Sequence, residues 1–422
     1  MSEATVQVDF SAVNTTEMVA AVRKSLLSGH KPRRQLPFTA ERAVSHRAGA
    51  DAAGQPRVYA AVLAVLILAG IAGVWTANTA FLPEMYDDRA MTPVADAFSS
   101  GGNYVVFDLN LNIRKLRDNH LARMTVTPDT VILGASHWQE AHSGLMKRKR
   151  MYNAHVHRDY WEDMLGMSEM LVRHKRLPKQ LMISIRDNLF TPVGARGDFL
   201  WEPGIPYYHA MAGRLGIETE SLWKTLPYQR FTERFSISLL LTNVARWYNA
   251  AERPHPTSEA GSQTLDTLLA DGSILWSAEH NRFFTPERAK REALDFAKRR
   301  RNDPPKIDPR GVEAFDRLLT FLQSKGVDVV LANPPFNPVF YEEVRDSKYI
   351  AGLARVEQLT RDLAHAHGLR VIGGFDPAKV GCDAGMFIDA EHSNPACLAK
   401  ILAQLDALDP PLRLRTIGEP GA

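Results

Sequence analysis

From residue 130 onward, short apolar runs alternate with longer stretches in which apolar positions recur at helical spacing. Runs at Thr130 to Leu133, Met151 to Ala154, Gln180 to Ile185, Val327 to Ala332 and Leu369 to Ile372 predict five strands. They are nearly continuous rather than alternating, the pattern of strands buried on both faces. Helical spacing covers Leu109 to Met124, Trp138 to Lys147, Asp159 to His174, Pro309 to Lys325, Ala354 to His367 and Pro395 to Leu408. Strands alternating with helices predict an α/β domain, expected as three α/β/α layers around a five-stranded parallel sheet.

The rhythm breaks once, across an insertion at 189–308 rich in aromatics: Phe199, Trp201, Tyr207, Tyr208, Trp223, Trp247, Trp276, Phe283 and Phe284. Phe231 to Glu252 has a helical pattern, and Asp271-Gly272 marks a turn. Aromatics in a cap either stack on sugar rings or form the cap's own core, and the pattern leaves both readings open.

A different pattern stands near the amino terminus. Val58 to Leu82 carries no charge, and Val58 to Trp75 is almost entirely Ala, Val, Leu, Ile and Gly, with no polar face. That predicts a transmembrane helix at 58–80 lying in a lipid bilayer, with Arg57 and Trp75 near its interfaces. The run begins too far into the chain, and lacks the small-residue cleavage pattern, for a cleaved signal peptide. Arg33, Arg34, Arg42, Arg47 and Arg57 precede it, while Glu84, Asp87 and Asp88 follow. The positive-inside tendency then predicts a single-pass protein of a bacterial inner membrane, with a cytoplasmic basic tail at 1–57 and an exported main domain. The tail holds a capping-box spacing, Asn14 to Glu17, before a short amphipathic stretch, and Pro32 to Pro56 reads as a linker. A connector at 81–107 is expected to lead into the domain at 108–422.

Composition adds one exclusion. The net charge is +3, and residues 1–57 hold eight Lys/Arg against five Asp/Glu, so the remainder sums to zero. A nucleic-acid partner is therefore not expected. The basic runs Lys147 to Arg150 and Lys298 to Arg301 read either as solvated helix ends or as a path for an anionic polymer.

The candidate chemistry sits at strand ends. Val131-Ile132-Leu133-Gly134-Ala135-Ser136 places a serine just past the first strand of the rhythm, where open α/β sheets hold ligands. Ser136 is either a nucleophile or a helix cap. Asp389 and His392 lie three apart, after the last strand and before the last helix, so they fall at the same sheet edge. There His392 can take the serine proton while Asp389 orients the imidazole. No histidine pair has a partner at metal-ligand spacing, so neither a metal nor another cofactor is expected. Asn333 to Pro338 either shapes the rim or is a rigid loop. The two cysteines, Cys382 and Cys397, bracket Asp389 and His392. They either form a disulfide, if the domain is exported, or leave Cys397 as a buried thiol.

With these residues, the chain resembles the SGNH (GDSL-like) hydrolase superfamily over about 120–408, apart from the insertion. That family sets its serine in a Gly-Asp-Ser turn and its Asp-x-x-His before the final helix. Here the blocks read Gly134-Ala135-Ser136, with alanine for aspartate, and Asp389-Ala390-Glu391-His392. The resemblance implies Ser136, Asp389 and His392 as catalytic residues. Its oxyanion-hole glycine and asparagine have no match in frame. Asn153 and Asn188 stand near the expected positions as candidate donors beside the Ser136 N–H. A single anchor with an exported domain also resembles proteins that acylate bacterial exopolysaccharides beside a multi-spanning membrane O-acyltransferase. Two functions follow as expectations: a serine-dependent O-acyltransferase or esterase acting on a cell-surface or periplasmic polysaccharide, acetylation foremost, or a non-catalytic scaffold of the same fold that binds glycan or a secretion partner.

Overall fold

In the computed structural model the described residues are 55–81, 88–106, 112–146, 150–157, 159–192, 204–219, six positions between 235 and 244, and 254–407. The chain divides into two units, Met1–Val65 and Leu66–Ala422. Of the first, only residues 55–65 are described, and they begin helix α1, Gln55–Phe81. Within α1, Val58–Thr79 is long and apolar enough to cross a membrane, and Val62, Leu66, Leu68 and Ile71 lie exposed along it. The amphipathic stretch after Asn14, the linker expected at Pro32 to Pro56 and the helix expected at Phe231 to Glu252 lie outside the described residues, apart from Gln55 and Pro56, which begin α1, and scattered positions in the last.

In the second unit, the elements after α1 are α2 (Asp88–Ser99), β1 (Asn103–Val106), α3 (Ile113–Arg123), β2 (Thr130–Leu133), β3 (Met151–Asn153), α4 (Trp161–Arg173), β4 (Gln180–Ser184) and α5 (Ile205–Arg214). Then come β5 (His255–Thr257), β6 (Asp266–Leu268), β7 (Ile274–Leu275), α6 (Ala278–Asn281), α7 (Pro286–Arg300), α8 (Pro309–Ser324), β8 (Asp328–Asn333), α9 (Pro338–Glu343), α10 (Lys348–His367), β9 (Arg370–Gly373) and α11 (Pro395–Ala407).

Five strands form one parallel sheet in the order β3-β2-β4-β8-β9. They are the five that the apolar runs predict, with ends shifted by one residue at most. Both faces are buried, which explains the continuous runs. Val131, Leu133, Leu181, Ile183, Val329 and Leu331 enter one apolar cluster with α4, α8 and α10. The alternate residues Ile132, Met182, Val330 and Ala332 enter a second with Leu398, Ile401, Leu402 and Leu405 of α11. Burying one such side chain contributes about 1.5–3 kcal/mol, so this alternation fixes the register of β2, β4 and β8.

Strand β2 comes first of these five in the chain but lies inside the sheet, with β3 on one side and β4 on the other. The winding direction reverses there. A crevice opens at the carboxyl ends of strands at such a switch point, and Ser136 follows β2 directly.

Two sequence expectations are corrected. Residues 88–106, expected as part of a connector, fold as α2 and β1, and Met91, Val94 and Phe98 of α2 lie in the larger cluster. Strand β1 pairs antiparallel with β5 and β6 of the insertion, making a second sheet β5-β1-β6-β7. Its strands are two to four residues long, too short to carry a period. The second correction is at Trp138 to Lys147, where no α-helix forms among the described residues, 138–146. Ser136–Trp138 and Ser143–Leu145 are separate 3-10 turns. The carbonyls a helix would use are held sideways: Asn153 Nδ2 donates to Trp138 O and Ala141 O, and Ile274 N–H donates to Gln139 O.

The turn at Asp271-Gly272 is present between β6 and β7, with Gly272 at φ +84°. It braces the sheet's edge. Asn153 N–H donates to Asp271 O at 2.6 Å, and Arg117, fully buried, donates to Gly272 O at 2.7 Å.

Candidate active site

Ser136 opens its 3-10 turn, so its own N–H is among the donors that a helical start leaves unspent. Gly134, two residues before, is required by space rather than by backbone conformation. A Cβ there would meet the Ser184 Cβ at 2.7 Å and Trp138 Cδ1 at 2.9 Å. Only glycine lets the β2 end sit this close to β4.

The Ser136 Oγ lies 2.8 Å from His392 Nε2, across 256 residues of chain. His392 Nδ1 lies 2.7 Å from Asp389 Oδ2, while Asp389 Oδ1 accepts the backbone N–H groups of Glu391 and His392, each at 2.8 Å. With the Nδ1 proton on the Asp389 side, Nε2 is left to accept from the serine hydroxyl. Ser136, Asp389 and His392 are therefore brought together.

Three devices hold the loop that carries Asp389 and His392. Ile388 N–H donates to His392 O at 3.0 Å, closing the turn. Asn337, after β8, donates its side-chain N–H to Asp389 O at 2.9 Å and its backbone N–H to Ala390 O at 2.9 Å. Cys382 and Cys397 are joined by a disulfide with Cα atoms 5.4 Å apart, which closes the loop onto α11. The Asn333 to Pro338 stretch thus clamps the loop rather than only forming a rim. The side chain of Asn337 also caps α9 by accepting from Val339 N–H, the local reason an asparagine stands before Pro338.

Charge follows this geometry. Burial raises the Asp389 carboxyl, but the His392 imidazole and the two backbone N–H groups outweigh it and hold the group at about 2. Burial lowers His392, yet the Asp389 carboxylate prevails and lifts it to about 9. Two further buried groups stand close by. Glu140 is raised to about 8, chiefly by burial, against the pull of Trp276 and His392. His137, whose ring centre is 5.5 Å from that of His392, is held well below the ordinary range, again chiefly by burial. Neither was singled out by sequence, since nothing in their spacing marks them.

The two candidate oxyanion donors differ. Asn153 is fully buried, spends both side-chain hydrogens on Trp138 O and Ala141 O, and accepts His155 N–H at its oxygen. It has no donor left for a developing charge, so the expectation for Asn153 is corrected: it shapes the Ser136 turn. Asn188 is half-buried and lines a cavity with Tyr160, Arg186 and Glu391.

Among the described residues, no group of three or more His, Cys, Asp and Glu is arranged to hold a metal ion. The described aromatics of the insertion pack largely on protein. Tyr207 and Tyr208 join the main core, and Trp276, His280 and Phe284 stack on one another at 4.4–5.7 Å between ring centres. Phe199, Trp201, Trp223 and Trp247 lie outside the described residues. Lys298 to Arg301 ends α7, where cations suit a helix carboxyl terminus. Compared with known proteins, the chain matches no family model and no curated protein sequence.

Proposed function

We propose that this chain is a serine-dependent O-acyltransferase or esterase of the SGNH type, acting on a cell-surface or periplasmic polysaccharide, with acetyl the foremost acyl group. The observation that carries the proposal is the continuous relay from Ser136 Oγ through His392 to Asp389, at 2.8 and 2.7 Å, assembled at the switch point of a parallel sheet. Burial of both sheet faces supports the three-layer α/β/α arrangement that the family resemblance implies.

The mechanism follows from the geometry. His392 Nε2 takes the Ser136 proton as Oγ attacks the acyl carbonyl, and Asp389 stabilises the resulting imidazolium. The Ser136 N–H and Asn188 receive the charge developing on the carbonyl oxygen. The leaving group takes the proton back and an acyl-serine remains. A sugar hydroxyl or water, deprotonated by His392, then attacks that ester and frees Ser136. Which acceptor wins decides between transferase and esterase.

Helix Val58–Thr79 serves as the membrane anchor in this reading, with the amino terminus cytoplasmic and the domain exported. The charge asymmetry around the helix supports that orientation, as does the Cys382–Cys397 disulfide, since such bonds persist in oxidising compartments. A multi-spanning membrane O-acyltransferase is the proposed acyl supplier. The scaffold reading draws on one observation: Asn153 is spent, which leaves the oxyanion hole with fewer side-chain donors than expected.

Turnover of p-nitrophenyl acetate by the full chain in detergent micelles separates the two. The enzyme reading expects turnover that Ser136→Ala and His392→Ala abolish, together with loss of glycan acylation in cells carrying either variant. Intact glycan acylation in the Ser136→Ala strain would favour the scaffold.

A further inference from the structure

The cavity beside Glu391 is not used by the relay. It encloses about 430 Å³, within the range of small-ligand sites, and its lining includes Tyr160, Arg186, Asn188, Arg300, Lys306 and Glu391. Glu391, part of that lining, directly precedes His392 and its charge acts on the imidazole, which sets this wall of the cavity beside the relay.

Arg186 carries the strongest sign that a ligand belongs there. It is only 8% exposed, with Nε 2.7 Å from Asp159 Oδ1, and Nε and Nη2 donating to Asp159 O at 3.2 and 3.1 Å. Its guanidinium also lies over the Tyr160 ring at 5.6 Å. Asp159 thus fixes the side chain through Nε and Nη2, and Arg186, as part of the lining, presents a rigid, oriented donor to the cavity.

The charges decide what kind. Arg186, Arg300 and Lys306 face the cavity, but so do Asp303 and Glu391, and Asp159 and Asp187 stand close to Arg186. Cations and carboxylates are interleaved and close to balance. An anionic ligand would meet the carboxylates and a cationic one the guanidinium. A hydroxyl, which donates and accepts, satisfies both kinds of group.

We propose that this cavity is the acceptor subsite of the acyl-transfer centre and takes an uncharged sugar unit, presenting one of its hydroxyls to the acyl group on Ser136. The inference rests on the nucleophilic role of Ser136 given above. In the step it serves, a bond forms between the sugar oxygen and the acyl carbon, and the bond from that carbon to Ser136 Oγ breaks. The hydroxyl proton passes to His392 Nε2 and from there to Ser136 Oγ, so nothing beyond acyl-enzyme and sugar is consumed. Arg186 donates to a sugar oxygen, and Glu391 receives a sugar hydroxyl.

The test uses the full chain in detergent micelles with p-nitrophenyl acetate as donor. A burst of p-nitrophenol reports acylation of Ser136. Methyl glycosides of glucose, galactose and mannose are then added, with methyl glucuronoside as the charged comparison. At least one neutral glycoside is expected to speed deacylation severalfold and emerge acetylated, with the glucuronoside at least tenfold poorer. Arg300→Gln and Glu391→Gln are expected to raise the KM for the glycoside at least tenfold more than they slow the burst. A normal burst with every neutral glycoside inert, or with the glucuronoside the better acceptor, overturns the subsite and leaves the Ser136 reading standing. Absence of any p-nitrophenol release that depends on Ser136 overturns both.

Discussion

Asn337 donates its side-chain N–H to the backbone carbonyl of Asp389 at 2.9 Å, tying the loop after β8 to the loop that orients His392. The same side chain accepts Val339 N–H through its oxygen, so its two ends do separate work. Asn337→Asp keeps the cap and loses the donor, whereas Asn337→Ala loses both. Each hydrogen bond contributes about 1 kcal/mol, so ester turnover by Asn337→Asp is expected to fall roughly fivefold while its melting temperature drops less than that of Asn337→Ala. Equal turnover in wild type and Asn337→Asp would show that the tie does not position His392.

The raised His392 gives the proposed activity a pH signature. Only the neutral imidazole accepts the serine proton, and Asp389 holds His392 up to about 9 despite burial. For ester hydrolysis, kcat/KM is therefore expected to rise with pH through about 9. Asp389→Asn removes the opposing charge, so the rise should move to lower pH with a smaller plateau. A rise centred at the same pH in both proteins contradicts this coupling.

Glu140 makes a stability prediction of definite sign. Its carboxyl is raised from 4.5 to about 8 by burial, so protonation favours the folded chain. That contribution is fully present below about pH 4.5 and is lost as pH rises through 8. Glu140→Gln mimics the neutral form. Its melting temperature should match wild type near pH 5 and exceed it at pH 9; a lower value at pH 9 would count against the buried, neutral carboxyl.

Close approach at Gly134 is tested by exchange. Gly134→Ala drives a Cβ to 2.7 Å from Ser184 Cβ, and overpacking of this kind costs about 1–3 kcal/mol. Adding Ser184→Gly removes the nearer obstacle, so the double variant should recover part of the lost stability and turnover. No recovery would assign the requirement to Trp138, the other neighbour.

The disulfide closes a loop whose ends are 15 residues apart. Such a closure stabilises by roughly 3 kcal/mol on the chain-entropy account. Unfolded, unreduced protein should show no alkylated cysteine by mass spectrometry, and Cys382→Ser/Cys397→Ser should unfold at lower denaturant. Two alkylated thiols in the wild-type chain would remove the brace.

Much of the fold was legible because burial on both faces leaves a strong mark. Val131, Ile132 and Leu133 had to be apolar together, and so did Val329, Val330 and Leu331. Ser136, Asp389 and His392 were legible through their positions at strand ends. The second sheet was not, since strands as short as Ile274–Leu275 carry no period. Trp138 to Lys147 misled for a physical reason: its helical spacing is real, but Asn153 and Ile274 hold its carbonyls from the side. The roles of Asn337, Arg186 and Glu140 depend on partners 52, 27 and more than 100 residues away, and no local pattern encodes them.

The central claim is that Ser136 is a nucleophile activated by His392, and covalent trapping tests it most directly. Full-length protein in detergent, treated with a fluorophosphonate and digested, should carry one adduct, on the peptide that contains Ser136. Ser136→Ala should show none, and labelling of His392→Ala should be slower by a factor of at least about a hundred, the low end of what a general base contributes. An unlabelled Ser136 peptide in the wild-type chain, or labelling that His392→Ala leaves unchanged, would contradict the account.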